Sequence, residues 1–291
     1  MPRDFTEPNM EKLQQLPTDI FNLFDPENNH VVNEENLNAF ADNLKDILRN
    51  RLATQERRTS PLRFSSLGKP DRQLWFDAHP DPVNEETMPP KTYMKFLYGD
   101  IIEQLLLFLT KEAGHSVEDE QGKVEVNGVT GSLDAIIDGI VVDVKSASSY
   151  GYKKFEAGTV EQDDPFGYVA QLSGYASVKT PGVPAAWLAN DKVAGDICVS
   201  PLSAITIKHY QPAERIDHLK GVIERDTPPA LCHTPVPDGK SGNMMLPTPC
   251  SYCKHKKRCH PNLRTFIYST GPRYLTVVAN LPKVYEVTNG S

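Results

Sequence analysis

The sequence predicts an α/β protein, and three observations lead there. Residues 91–113 carry Leu97, Ile101, Ile102, Leu105, Leu106 and Leu109, the broad apolar surface of a well-buried helix. Strand-like runs follow at about 123–129, 131–137 and 140–146. A second helix then opens at Asp164-Pro165, an N-cap with proline at the first helical position, and runs to about 178. "AAWLAN" and "DICVSP" read as further strands and "PAERIDHLKGVIER" as a further helix, so the elements alternate as in α/β folds.

The flanking regions read differently. In the first 60 residues Leu37, Phe40, Ala41, Leu44, Ile47, Leu48 and Leu52 recur at helical spacing behind Asn33, a suitable N-cap, and the stripe is expected to pack on the main domain. Upstream, Asp25, Glu27 and Asn29 have the spacing of a calcium loop. His30 stands where that loop needs glycine and Asn36 where it needs a bidentate glutamate, so the segment reads as a loop entering a helix. From about 228 the chain is rich in Pro, Gly and Cys and ends in strand-like runs, "RYLTVVAN" and "KVYEV". The expected division is residues 1–60 as a helical segment, 61–227 as the core, and 228–291 as a Cys-rich region packed on it.

With 291 residues, 39% of them hydrophobic, the chain can bury a sizeable core. It has no apolar run near the ~20 residues of a membrane span and no secretory h-region at its start, so no membrane partner and a cytoplasmic location are expected. A net charge of −7 argues against a surface coated with phosphate contacts. Contact with nucleic acid must be local or helped by bound cations.

The stretch "TGSLDAIIDGIVVDVK", residues 130–145, threads acids through a core strand pattern. Asp138-Gly139 between apolar runs signals a two-residue hairpin. In that register Asp134 faces Asp143, and period-2 alternation puts Lys145 on the same side, with Leu133, Ala135, Ile137, Ile140, Val142 and Val144 on the other. Like charges face to face destabilise a sheet, and a divalent cation offsets that cost. A structural ion pair with Lys145 is the plainer alternative. Glu103 interrupts the apolar helix, where a carboxylate needs a partner or a metal. Gln171 and Tyr175, four apart, share a helical face.

Taken in order, Gly99-x3-Glu103, Gly131-Ser-Leu-Asp134, Asp143-Val-Lys145 and Gln171-x3-Tyr175 resemble the RecB-like branch of the PD-(D/E)XK nuclease superfamily, over about residues 65–180. Glu103 stands where many members carry His. The resemblance implies a restriction-endonuclease-like core, a mixed central sheet flanked by helices, and metal-dependent hydrolysis of DNA phosphodiesters as an exonuclease acting on the ends of linear DNA. It implies that Glu103, Asp134, Asp143 and the carbonyl of Val144 bind Mg²⁺ or Mn²⁺, that Lys145 orients or deprotonates water, and that Gln171 and Tyr175 position the lysine or the DNA. Arg72, with Lys69 nearby, resembles the family's upstream phosphate-contacting segment.

Cys250-x2-Cys253-x5-Cys259 is similar to the C-terminal triplet of members that hold a [4Fe–4S] cluster. Those relatives take their remaining cysteine from the upstream segment, where this chain has Asp71 and none. Cys232 is the candidate fourth ligand, and four thiolates suit either that cluster or structural Zn²⁺. His233, His255 and His260 are alternative ligands. Lys254, Lys256, Lys257 and Arg258 form a local basic run that can meet DNA or simply be solvated, and Cys198 reads as a small buried residue. The wording of the chain looks most like bacteriophage-encoded members, which implies work in phage DNA replication, recombination or host-DNA breakdown. A nuclease of CRISPR spacer acquisition and a non-catalytic module binding DNA ends or a protein are the alternatives.

Overall fold

The computed structural model describes residues 6–53, 62–81 and 90–287. Contacts divide the chain into two compact units, residues 1–68 with 90–217, and residues 69–89 with 218–291. The divisions expected from the sequence are at 60/61 and 227/228. Leu13, Leu16 and Ile20 near the N-terminus belong to the core of the larger unit, and residues 69–89 belong with the cysteines.

In chain order the elements are α1 (Met10–Asn22), α2 (Glu34–Leu52), α3 (Asp71–Ala78), α4 (Pro90–Glu112), β1 (Val117–Glu118), β2 (Lys123–Val126), β3 (Val129–Ser132), β4 (Ala135–Ile137) and β5 (Ile140–Ala147). There follow α5 (Ser149–Glu156), α6 (Tyr168–Lys179), β6 (Ala185–Asp191), β7 (Ile197–Leu202), α7 (Ala204–His209) and α8 (Pro212–Ile223). The chain ends with β8 (Val236–Pro237), β9 (Met244–Met245), α9 (Thr248–Tyr252), α10 (Lys256–Cys259), β10 (Arg264–Tyr268), β11 (Gly271–Val277) and β12 (Tyr285–Val287). No helix among the described residues is long and apolar enough to cross a membrane.

The larger unit is mixed α/β. Its central sheet has the order β1-β4-β5-β6-β7, with β5 and β6 parallel and the other pairs antiparallel. Alternate residues of β4, β5 and β6, among them Ala135, Ile137, Val142, Val144 and Leu188, pack with α1 and with Leu106 and Leu107 of α4. Trp187, beside Asp143 in the sheet, meets the ring of Phe155 on α5. As expected, Asn33 caps α2, accepting from the N–H groups of Glu35 and Asn36. That helix lies on α4, with Phe40 stacked on Phe108, yet none of its residues is fully buried.

The β4–β5 hairpin has the expected register, Ile137 opposite Ile140 and Ala135 opposite Val142. Asp138 and Gly139 take φ of +47° and +76°, the left-handed pair of a type I′ turn. A Cβ on Gly139 would stand 2.1 Å from the carbonyl oxygen of Thr6, so the passing N-terminal segment also demands glycine. The expected single strand over 131–137 is two. At Leu133-Asp134 the chain bonds back to Gly122 and Gln121, so β3 pairs with β2 and β4 with β1 and β5. The second helix starts at Tyr168 rather than at Pro165. Asp164 caps it from a distance, accepting from the N–H groups of Gly167, Tyr168 and Val169, because Gly167 turns the chain with φ +78°.

Asp138 also ties α1 to the hairpin. Its buried carboxylate meets Lys12 (2.9 Å), His115 (2.5 Å) and the N–H of Ser116 (3.1 Å), and its carbonyl accepts the N–H of Asn9. Burial alone would raise its pKa, but Lys12, His115 and Ser116 outweigh that and hold it below the usual range. A depressed carboxyl contributes stability that is present above its unfolded pKa of about 3.9 and is lost as pH falls through the folded value. Asp138→Asn keeps the turn, since Asn tolerates positive φ, and loses the charge. Asp138→Ala is expected to cost about 3 kcal/mol, because it strands His115 and a buried N–H. Urea midpoints at pH 7 measure both, and the gap between wild type and Asp138→Asn should narrow toward pH 3.

The smaller unit holds an antiparallel sheet of order β12-β10-β11-β9-β8, together with α3, α9 and α10. The strand-like C-terminal runs are therefore strands of one sheet. The side chain of Arg264 on β10 pairs with Glu286 on β12 through two 2.7 Å contacts.

Candidate functional site

Four elements of the larger unit converge on one cluster. α4 supplies Glu103, the β3–β4 crossing supplies Asp134, β5 supplies Asp143 and Lys145, and α6 supplies Gln171 and Tyr175. At Asp134 the hairpin ladder ends. Its Oδ2 accepts the N–H of Val144 at 2.7 Å, so the carboxylate fixes both itself and the backbone of β5. Period-2 alternation puts Asp143 and Lys145 together, and the ammonium lies 2.5 Å from Oδ2 of Asp143 and 4.9 Å from the centre of the Tyr168 ring. The ion pair is not aligned as a hydrogen bond, and the buried Oδ2 of Asp143 accepts none from the described residues.

The electrostatics follow from three acids in one place. Burial, then Asp143, then Asp100 push Glu103 up to about 7. Burial, Asp143 and Glu103 carry Asp134 well above the usual carboxylate range. Burial would lower the Lys145 ammonium, but Asp143 and Asp134 outweigh it, and its pKa is raised. Burial, Asp143 and Asp134 likewise raise the Tyr175 hydroxyl, while Arg63 and a hydrogen bond from Gln171 act the other way. Tyr175 stacks on Phe64. Gly131 makes room for both, since a Cβ there would stand 2.3 Å from Cβ of Phe64 and 3.0 Å from the Tyr175 hydroxyl.

The candidates Glu103, Asp134, Asp143, Lys145, Gln171 and Tyr175 thus stand together, and Val144 contributes its backbone beside Asp134. Three neighbours were missed from sequence. Gln121 donates to Oε1 of Glu103 at 2.7 Å, Asp100 binds Arg51, and Tyr168 carries the lysine. Helical spacing did signal two of them, because Asp100 and Tyr168 each precede a named residue by three. As placed, no three His, Cys, Asp or Glu among the described residues are gathered tightly enough to hold a metal ion. The cluster is a concentration of negative charge rather than a finished cage.

The remaining candidates lie in the smaller unit. Cys232, Cys250, Cys253 and Cys259 are near enough to act on one another: burial and then Cys253, Cys232 and Cys259 push the Cys250 thiol up to about 12. Burial raises Cys232 and Cys253 too. Arg72 points into this group, its Nε 3.4 Å from Sγ of Cys259 and its guanidinium over the Phe76 ring, and also binds the Pro229 carbonyl. Lys69 pairs with Asp77, which also holds Lys254 and His255. The basic run is largely structural. Lys256 is buried with its ammonium over Tyr274, and Arg258 binds the carbonyl of His79 and covers Phe76. Cys198 is partly buried on β7, beside Tyr152. Comparison of the chain with protein-family models, with curated proteins and with solved structures finds no match.

Proposed function

We propose that the larger unit is a divalent-metal-dependent deoxyribonuclease of the RecB-like PD-(D/E)XK kind, with a restriction-endonuclease-like core, cutting phosphodiesters from the ends of linear DNA. The observation that carries this reading is the meeting of three carboxylates, Glu103, Asp134 and Asp143, with the Lys145 ammonium 2.5 Å from Oδ2 of Asp143, so that Glu103 and Asp134 are both raised by burial and by Asp143. Carboxylates so crowded suit a hard cation, and Glu103, Asp134, Asp143 and the carbonyl of Val144 would hold it. Mg²⁺ or Mn²⁺ bound there would neutralise the scissile phosphate and make water a nucleophile.

The chain's own groups have separable tasks. Lys145, held by Asp143, would orient or deprotonate the attacking water and face the charge building on phosphorus. Asp143 and the Tyr168 ring hold that ammonium in place. The neutral hydroxyl of Tyr175, fixed by Gln171 and Phe64, positions the same end of the site. The non-catalytic reading gains nothing from three carboxylates that raise one another's pKa, because a module that only binds DNA gains nothing from that repulsion.

In the smaller unit the four thiols fit a metal by their chemistry. Partly buried thiols that raise one another's pKa ionise together more readily beside a cation. A [4Fe–4S] cluster or Zn²⁺ held by Cys232, Cys250, Cys253 and Cys259 would tie the segment after α8 to the turn at 250–259. Arg72 then serves the sulfur of Cys259 rather than a phosphate.

End-labelled linear and circular DNA, incubated with Mg²⁺, Mn²⁺ or EDTA, tests the hydrolase reading. Metal-dependent loss of the linear DNA alone is expected, and its absence in Lys145→Ala assigns the site. If neither substrate is cut in any metal, the hydrolase reading is wrong.

A further inference from the structure

Away from the acid cluster, the helix pair α2–α4 leaves an apolar face open. Asn36 meets Glu112, Phe40 stacks on Phe108, Asn43 meets Gln104 and Arg51 pairs with Asp100. Numbers rise along one helix as they fall along the other, so the two are antiparallel, with Asn43 and Gln104 at one level. One step beyond this contact line the side chains turn to a flank. On α2 Leu37 follows Asn36 and Leu44 follows Asn43, with Leu48 one turn on. On α4 Leu105 follows Gln104, with Tyr98 and Met94 two and three turns back. A twofold axis across the contact line relates two antiparallel helices, so residues one step after it on each helix fall on the same side of the pair.

That side is open to water. Leu37 is 37% exposed, Leu48 43%, Met94 46%, Tyr98 53% and Leu105 39%. Large apolar side chains exposed singly are ordinary, but a contiguous stripe shared by two helices marks an interaction surface. Two packed helices with such a stripe are half of a four-helix bundle.

Charges beside the face select its occupant. Glu34, in the first turn of α2, and Lys95, in the second turn of α4, are both exposed, and each stands nine residues before the level shared by Asn43 and Gln104. A second copy, turned by half a revolution about an axis leaving the face at that level, lays its α4 along this α2 and in the same direction. Glu34 then meets Lys95 of the second copy, Leu37 meets its Tyr98 and Leu44 meets its Leu105, each twice by symmetry. A foreign helix would require no such match between α2 and α4. Two chains of net charge −7 repel at a distance, so their contact needs local opposite charges of this kind. We propose that the α2–α4 face is the interface of a homodimer, in which Leu37, Leu48, Met94, Tyr98 and Leu105 are covered by a second copy and Glu34 pairs with Lys95 across the twofold axis. The dimer does not rest on the hydrolase reading.

Sedimentation equilibrium of the full chain, from about 1 to 100 μM, tests it. Wild type is expected to dimerise. Leu48→Glu and Tyr98→Glu, both at exposed positions, are each expected to raise the dissociation constant about 100-fold, since each places a charge inside the apolar contact. Glu34→Lys and Lys95→Glu should each raise it about 10-fold by setting like charges face to face. The double variant exchanges the two charges and should return to within about threefold of wild type. Because these two positions are exposed on helix surfaces, the charge series reads association even if an apolar-face variant folds poorly. A wild type that stays monomeric or forms a larger assembly would overturn the interface. So would a dimer unchanged by both apolar-face variants or by both single charge variants, or a charge exchange that fails to restore it.

Discussion

Asp134→Asn is expected to abolish DNA hydrolysis while making the metal-free protein more stable. Both effects come from one carboxylate. In the folded chain, burial and the charges of Asp143 and Glu103 hold Asp134 well above its ordinary pKa, and Glu103 is pushed up to about 7 for the same kind of reason. A carboxyl whose folded pKa exceeds its unfolded value takes up a proton on folding between the two, so stability falls as pH rises through that window. For Glu103 the window runs from about 4.3 in the unfolded chain to about 7. Asn removes one acid from the group and can still accept the N–H of Val144 through its amide oxygen. In EDTA at pH 7 the variant should therefore melt higher, by about 2–4 °C for each 1 kcal/mol relieved, and its Tm should depend less on pH between 4 and 7.

With Mg²⁺ or Mn²⁺ the order reverses. Wild type is expected to gain stability from the cation by mass action, and Asp134→Asn to lose most of that gain. Hydrolysis by the variant should fall by about three powers of ten, since several kcal/mol of charge stabilisation is lost at about 1.36 kcal/mol per tenfold. Thermal melts with and without Mn²⁺, paired with the linear-DNA assay, read both signs. A variant that melts lower than wild type in EDTA would mean that Asp134 is a structural acceptor for Val144 and little more.

The parts of this site legible in the sequence are those fixed by local rules. Turn chemistry at Asp138-Gly139 sets the hairpin register, and the pleat then puts Asp143 beside Lys145 without reference to the rest of the fold. Helical periodicity and an Asn cap likewise place α2. What the sequence does not report depends on contacts distant in the chain. The strand over 131–137 breaks because Leu133 and Asp134 bond to the 121–122 turn, which no period-2 pattern reports. Arg72 and the basic run at 254–258 read as DNA contacts or as ordinary surface charges, with no sign of their partners in the chain. Their partners, Cys259, the Pro229 carbonyl, Asp77, Tyr274 and the His79 carbonyl, come from segments far away in the chain. The unit boundary was hidden for the same reason, because residues 69–89 are separated from 218–291 by the whole central sheet.

Cys250→Ser is expected to strip bound metal from the protein and to unfold the smaller unit, a far larger effect than Cys198→Ser. The reason lies in how little apolar material holds that unit together. Its buried apolar side chains among the described residues are Leu74, Trp75, Phe76, Leu219, Val222, Leu246, Phe266 and Leu275, and Trp75, Phe76 and Val222 form one core cluster with Cys259 packed against them. Small units with thin cores need a staple, and a structural metal supplies about 10–16 kcal/mol of folding free energy. Four thiols near enough to act on one another are the candidate ligands, with Cys250 pushed up to about 12 by burial and by Cys253, Cys232 and Cys259. Serine binds such a cation poorly, so the staple goes with one sulfur atom. Cys198, on β7 of the larger unit, has no such role, and its change to Ser should cost no more than about 1–2 kcal/mol of packing. Iron, sulfide and zinc per chain, measured for both variants beside their urea transitions, decide the matter. Iron with sulfide in wild type identifies the cluster and zinc alone identifies the structural ion. If wild type carries neither and Cys250→Ser unfolds no more readily than Cys198→Ser, then the thiols are core residues and the smaller unit is held by its sheet and by pairs such as Arg264–Glu286.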